Sequence, residues 1–299
     1  WDNKDRTSTY NGFDDTELIE RLGSWSPIVR QRAADTIASR NEAPIAAIIA
    51  LLDSDNLNAR IGACTAIEKL EGRAASAVPQ LRLALQHDDL WLRVRAATAL
   101  SVMGTAAMPA LPDMLERIAR GPSSEDPRGM EQRFISKAVF SRMLTSTKSL
   151  DGVDRDQLRT AIASGLQNQD GWARTEISSI YQRLSHEELQ PLLPAILEAI
   201  EKPAPSGEMF ADGVRLSGLK VLASHHIEEG IQACTDYLRG QNPWASENRT
   251  PEILEILVTY GAEAQRAIPQ LRETAISFDQ GEKDFPRNLS KQKASAVRK

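Results

Sequence analysis

A chain of 299 residues with 41% apolar and only 5% aromatic side chains suits helices packed through alanine, leucine and isoleucine, and suits strands poorly. Its net charge of −5 excludes a protein that traps a polyanion over its whole surface, and no apolar run approaches the ~18 residues of a membrane span. The charge is uneven, with 19 basic and 19 acidic side chains over residues 1–150, 11 basic against 21 acidic over 151–282, and a basic stretch over 283–299.

Residues 1–13 are polar with Trp1, Tyr10 and Phe13 interleaved, and read as a linker or a strap laid over the first helix pair. The chain opens at Trp1 without a methionine, as a mature product or an excised region of a larger protein would. From residue 14 onward one phrase recurs: an apolar or small residue, an arginine, two variable residues, then mostly small or apolar ones. The cleanest copies are Val29, Arg30, Ala33, Ala34, Ile37, then Ala59, Arg60, Ala63, Cys64, Ile67, then Leu92, Arg93, Ala96, Ala97, Leu100. Looser copies centre on Arg133, Arg174 and Arg215, and the arginine spacings are 30, 33, 40, 41 and 41 residues. A fixed period in this range means stacked supersecondary units, not one closed core.

Each repeat reads as two antiparallel helices. The first often starts at a proline (Pro79, Pro112, Pro194 and Pro269, with Pro44 a looser case), where the missing N–H costs nothing. An aspartate turn follows, at Asp53 and Asp55, Asp88 and Asp89, or Asp170, and caps the second helix. The arginine phrase forms that second helix, with its apolar offsets on one face, and glycines such as Gly72, Gly104 and Gly261 close it. The predicted repeats cover 14–41, 43–72, 77–105, 109–148, 154–184, 188–224 and 231–262. An eighth begins at Ala267, so the array spans 14–275, and 276–299 is a degenerate last repeat or a basic tail.

The proline-led first helix, aspartate turn and Val-Arg-x-x-Ala-Ala-x-x-Leu second helix resemble HEAT repeats, especially the short bacterial kind related to phycobilin-lyase repeats. The resemblance implies an all-α fold, an α-α superhelix or solenoid of about seven to eight helix pairs. It also implies a scaffold that binds a protein or peptide, as one region of a larger bacterial protein. A HEAT-like DNA glycosylase and a bilin-lyase-like chaperone are the alternatives it leaves open.

Recurring aspartates beside Arg30, Arg60, Arg93, Arg133, Arg174 and Arg215 point to a structural ladder, in which Asp55, Asp88, Asp170 or Asp212 accepts a guanidinium fork. A row of anion-binding arginines is the other reading. Positions two, five and nine after each arginine face the concave side, giving Arg32, Lys69, Arg95, Arg142 and Arg183 but Glu176, Glu252 and Glu255 further on. That mixture of signs favours a protein or peptide over a phosphate backbone. Trp91 and Trp172 both stand two residues before their arginine, on a ridge or packed over the adjacent turn. Insertions at 121–127, 202–210 and 240–244 carry Met209, Phe210 and Trp244 as anchor candidates, or as plugs folded back. The partner-binding set is therefore Trp91, Arg95, Arg142, Trp172, Arg183, Met209, Phe210 and Trp244.

The remaining chemistry is sparse. Ser185 and Glu188 read as a capping box around His186, and His225 and His226 as a helix end. Cys64 and Cys234 lie several repeats apart, beyond disulfide reach, and Cys64 takes a small packing position. No nucleophile elbow, phosphate loop, zinc-helix pair or dinucleotide fingerprint occurs, so no catalytic residue, metal or cofactor is expected. A monomer is expected, with nucleic acid disfavoured as a partner.

Overall fold

The computed structural model describes residues 5, 9–206, 208–241, 246–281 and 286–299. Among these residues there is no strand. In chain order the α-helices of six residues or more are α1 (Asp15–Leu22), α2 (Pro27–Ala38), α3 (Ile45–Ala50), α4 (Leu57–Leu70), α5 (Val78–Ala84), α6 (Leu90–Leu100), α7 (Leu111–Arg120) and α8 (Met130–Ala138). They continue with α9 (Arg155–Gly165), α10 (Gly171–Ser178), α11 (Leu193–Glu201), α12 (Ala211–Ser224), α13 (Glu229–Gly240), α14 (Ser246–Thr259), α15 (Ile268–Gln280) and α16 (Arg287–Arg298). Odd-numbered helices open a repeat and even-numbered ones close it. The chain forms two compact units, Trp1–Asn168 and Gln169–Lys299, so the repeat read over 154–184 is divided between them. In the first unit α2, α4, α6 and α8 pack each on the next, and in the second α10, α12, α14 and α16 do the same. The fold is an all-α solenoid.

Local chemistry starts and stops these helices. Pro27, Pro79, Pro112, Pro194 and Pro269 occupy the first or second helical position. Asp14 forms a capping box with Glu17, while Asn56, Asp89, Asp154 and Asp170 accept from free N–H groups at the starts of α4, α6, α9 and α10. Gly104 and Gly261 open the tight turns that follow α6 and α14, with φ of 63° and 59°. After α4 the equivalent residue is Glu71, with φ of 52°, and not the expected Gly72. A side-chain-bearing residue there holds a left-handed backbone that favours glycine.

Small residues set the spacing. Ala33, Ala34, Ala63, Cys64, Ala96 and Ala97 are fully buried, which lets α2, α4 and α6 approach closely. Gly62 of α4 goes further: a Cβ there would lie 2.0 Å from the Leu22 carbonyl oxygen at the end of α1. Ahead of α1, Tyr10 and Phe13 are buried edge-to-face with ring centroids 5.1 Å apart, and the guanidiniums of Arg32 and Arg21 lie 4.1 Å and 3.8 Å from their respective ring centroids. At the other end α16 buries a polar face. Lys293 Nζ donates to Gln241 Oε1 at 2.6 Å and sits 4.3 Å from the Phe278 ring centroid.

The fourth repeat departs from the sequence reading. In α8 the buried series is Gln132, Ile135, Ser136 and Val139, matching Arg93, Ala96, Ala97 and Leu100 of α6. Gln132 therefore holds the arginine position, and Arg133, assigned to the ladder from its identity, is exposed. A π turn over Val139–Met143 absorbs one extra residue. Beyond it Met143 is buried ten residues after Arg133, as Met103 is after Arg93, so the arginine register resumes.

Candidate functional site

Arg30, Arg60 and Arg93 bind the turns that precede their helices, while Arg215 and Arg174 reach the end of α11 and the residue after it. Arg30 Nη1 donates to the carbonyls of Ser24 at 2.6 Å and Trp25 at 3.0 Å, and to Asn58 Oδ1 of the next repeat at 3.2 Å. Arg60 donates to the Ser54 carbonyl, Arg174 to that of Lys202 and Arg215 to that of Ile200. Backbone carbonyl oxygens accept from Arg30, Arg60, Arg93, Arg174 and Arg215 where the sequence predicts aspartate carboxylates. Asp88 offers Arg93 its backbone oxygen, Asp170 caps α10, and the Asp212 carboxylate lies 3.8 Å from Arg215.

Arg93 also finds a carboxylate that sequence reasoning missed. Its Nε and Nη2 donate to Glu131 at 2.8 and 2.6 Å, while Arg117 Nε donates to the same group at 2.7 Å. Burial alone would push the Glu131 carboxyl up, but the hydrogen bonds from Arg93 and Arg117 overcome it and hold the group below the ordinary carboxylate range. The Glu131 hydrogen bond in turn raises Arg93. This triad locks α6, α7 and α8 together.

Just above that lock, α6 and α8 part to form a cavity of about 280 Å³, with Glu68 of α4 at its side. Trp91 and Phe134 form one wall, with ring centroids 5.8 Å apart and planes at 58°, and they are 51% and 40% exposed. Arg95, Lys137 and Arg142 stand around them, and the floor is Val94 and Ala138. Arg142 reaches Glu68 at 3.4 Å. Arg95 and Lys137 are exposed and make no ion pair or hydrogen bond among the described residues. The positive field of Arg95 reaches into the stack: Arg30 is lowered first by burial and then by Arg95.

The structure thus brings together Trp91, Arg95 and Arg142. Phe134 and Lys137 were missed because α8 had been placed one residue out of register. Counted from Gln132 they fall at offsets two and five, the outward positions.

The other predicted binding residues lie in the second unit. Trp172 is half-buried in the first turn of α10, and Arg183 ends the tight turn Ser179–Arg183. Met209 is 85% exposed, whereas Phe210 is half-buried beside Gly171. Trp244 lies outside the described residues. A second cavity, of about 510 Å³, opens between α11 and α13. There Tyr237 donates to Asp212, and Arg249 Nε lies 2.6 Å from the same carboxylate. Burial, then the Asp212 hydrogen bond, pushes the Tyr237 hydroxyl up to about 12.

Cys64 and Cys234 are buried thiols, each pushed up to about 12 by that burial. His186 Nδ1 lies 3.2 Å from the His225 carbonyl oxygen, and His226 lies 3.4 Å from Glu263. Among the described residues no group of three or more metal-ligating side chains converges, and no helix is long and apolar enough to cross a membrane.

These features define the class: a helical-repeat protein with a cationic, aromatic cleft between two second helices of its first unit. No protein-family model matches the chain, and neither does any curated protein. Among solved structures the chain is similar to a chain of the complex of CpcE and CpcF of phycocyanin lyase from Nostoc sp. PCC7120. The identity is 18% and the TM-score 0.40, over 88% of this chain and 95% of that one.

Proposed function

We propose that this chain is a non-enzymatic scaffold built of HEAT-type repeats, of the short bacterial kind related to phycobilin-lyase repeats, whose first unit binds a polypeptide partner in the cleft between α6 and α8. The observation that carries this reading is the exposed Trp91–Phe134 pair. Two large rings in contact, each near half exposure, leave apolar surface uncovered beside the cavity. Covering the exposed half of each ring would contribute about 2–3 kcal/mol per ring, from ~150–250 Å² of surface per aromatic at ~25 cal/mol/Å². Rigid aromatics at the centre of a small concavity are the usual anchors of a protein interface.

Selection from a display library of random dodecapeptides tests the reading. The wild-type chain should enrich a consensus, and the Trp91→Ala, Phe134→Ala double variant should not. Equal enrichment by both proteins would remove the cleft from consideration. A glycosylase would need a carboxylate beside the flipped base, and Glu68, the acid of this cleft, is engaged by Arg142. Colour transfer to a phycobiliprotein is the separate test of a bilin-lyase-like chaperone.

A further inference from the structure

We infer that the cleft between α6 and α8 selects an acidic peptide segment, one apolar side chain flanked by carboxylates. The inference rests on the binding reading above and adds the chemistry of the partner. The argument is one of charge compensation along a single face. On α2, Arg32 is engaged by the Asp5 carbonyl and the Tyr10 ring. On α4, Lys69 lies 3.0 Å from Asp35, and Glu68 serves Arg142. At α6 and α8 the compensation stops. Arg95 and Lys137 project beside the Trp91 and Phe134 rings with no partner among the described residues.

An incoming carboxylate would find two unpaired cations within one small cavity, with low-dielectric ring faces beside them, where attraction exceeds that of an open surface. Arg30, lowered chiefly by its burial, is lowered further by the charge of Arg95. An apolar side chain of the ligand fits against Val94, Ala138 and the two rings. The cavity's about 280 Å³ suits one or two side chains and is smaller than the usual ~300–1,000 Å³ of a small-molecule pocket.

A peptide is favoured over a single-stranded nucleic acid, which also stacks on aromatics and seeks cations. A continuous phosphate backbone needs a row of free cations to follow, and on this face Arg32 and Lys69 are already engaged, which leaves two cations within one small cavity.

Fluorescence anisotropy with three labelled dodecapeptides decides the matter. One carries a central leucine and phenylalanine among glutamates, and the second and third replace every glutamate by glutamine or by lysine. A 12-nucleotide oligothymidine is the competing anion. The full chain should bind the glutamate peptide at least tenfold tighter than the glutamine peptide and leave the lysine peptide unbound. Arg95→Glu and Lys137→Glu should each weaken it about tenfold, and 0.5 M salt should do likewise. Both positions are exposed, and matched thermal melts verify that the variants are folded.

Glutamine and glutamate peptides bound equally well, both lost in Trp91→Ala, would overturn the acidic preference while leaving the binding cleft standing. Oligothymidine bound as tightly as the glutamate peptide would overturn the choice of partner. No binding of any peptide would overturn the inference, and the display selection then judges the cleft independently.

Discussion

The two units use the same helical plan with opposite polar chemistry. In the first, the face that carries Trp91 is cationic around its cleft, and three buried charges, Arg93, Glu131 and Arg117, form one hydrogen-bonded triad. In the second, the equivalent face presents Glu176, raised by burial, and Glu252, held by Lys220 at 2.6 Å. Among the described residues both units hold buried side-chain atoms with no hydrogen-bond partner, Gln80 Oε1 and Ser136 Oγ in the first and Tyr181 Oη, Gln241 Nε2 and Ser290 Oγ in the second. Repetition therefore fixes the backbone and leaves the polar side chains free to diverge. In the first unit the Arg93, Glu131 and Arg117 triad ties α6, α7 and α8 together beside the cleft.

The contrast can be broken most sharply at Glu131. Removing this carboxylate in Glu131→Ala leaves two buried guanidiniums facing each other, at a cost of about 3–5 kcal/mol. Urea denaturation should show the loss in residues of the first unit, with amides of α13 to α16 keeping their exchange protection. Loss of protection in both units alike would mean that they do not unfold separately. The pH dependence has a definite sign. The folded Glu131 pKa lies below its unfolded value, so its stabilisation is complete above the ordinary carboxylate range and disappears as pH falls through the depressed folded value. Acid titration of the wild type against Glu131→Gln should show that difference vanishing at low pH.

A second comparison pairs two close approaches. An added Cβ at Gly62 meets the Leu22 carbonyl at 2.0 Å, which is backbone and cannot move, whereas at Gly230 it meets the Tyr260 hydroxyl at 2.1 Å and Leu222 Cβ at 2.7 Å. Both alanine variants should destabilise by about 1–3 kcal/mol, and Gly62→Ala should cost the more. Reversal of that order in thermal melts would show that the side chains around Gly230 are the stiffer set. The smallest effect has the opposite sign. Glu71→Gly relieves a positive φ at the place where Gly104 and Gly261 stand in other repeats, and should stabilise the first unit by about 1 kcal/mol. A lower melting temperature would mean that the Glu71 side chain contributes more than its backbone costs.

Much of the fold was legible because the signals are local. Alanine pairs such as Ala33 and Ala34, helix-starting prolines such as Pro79 and the caps Asp89 and Asp170 act within a few residues and fall where the pattern put them, whereas α4 is capped by Asn56 and not by Asp53 or Asp55. Half of the cleft was legible for the same reason: Trp91 and Arg95 share the first two turns of α6. The other half was not. Anchoring α8 on Arg133 made Lys137 look buried, and nothing in a glutamine advertises that Gln132 takes an arginine's place. Glu131 was invisible as a partner because it lies 38 residues from Arg93, and only packing brings them together. Glu71 was overlooked because a glycine stands directly after it.

The π turn over Val139–Met143 has a consequence for how such arrays diversify. One surplus residue swallowed within a helix turns everything before it by roughly 100° relative to everything after. Phe134 and Lys137 swing into view while Met143 and Leu144 keep their seats in the stack. A lineage could thus change what its cleft recognises by gaining or shedding a single codon, with every loop and every neighbouring hairpin left as it was.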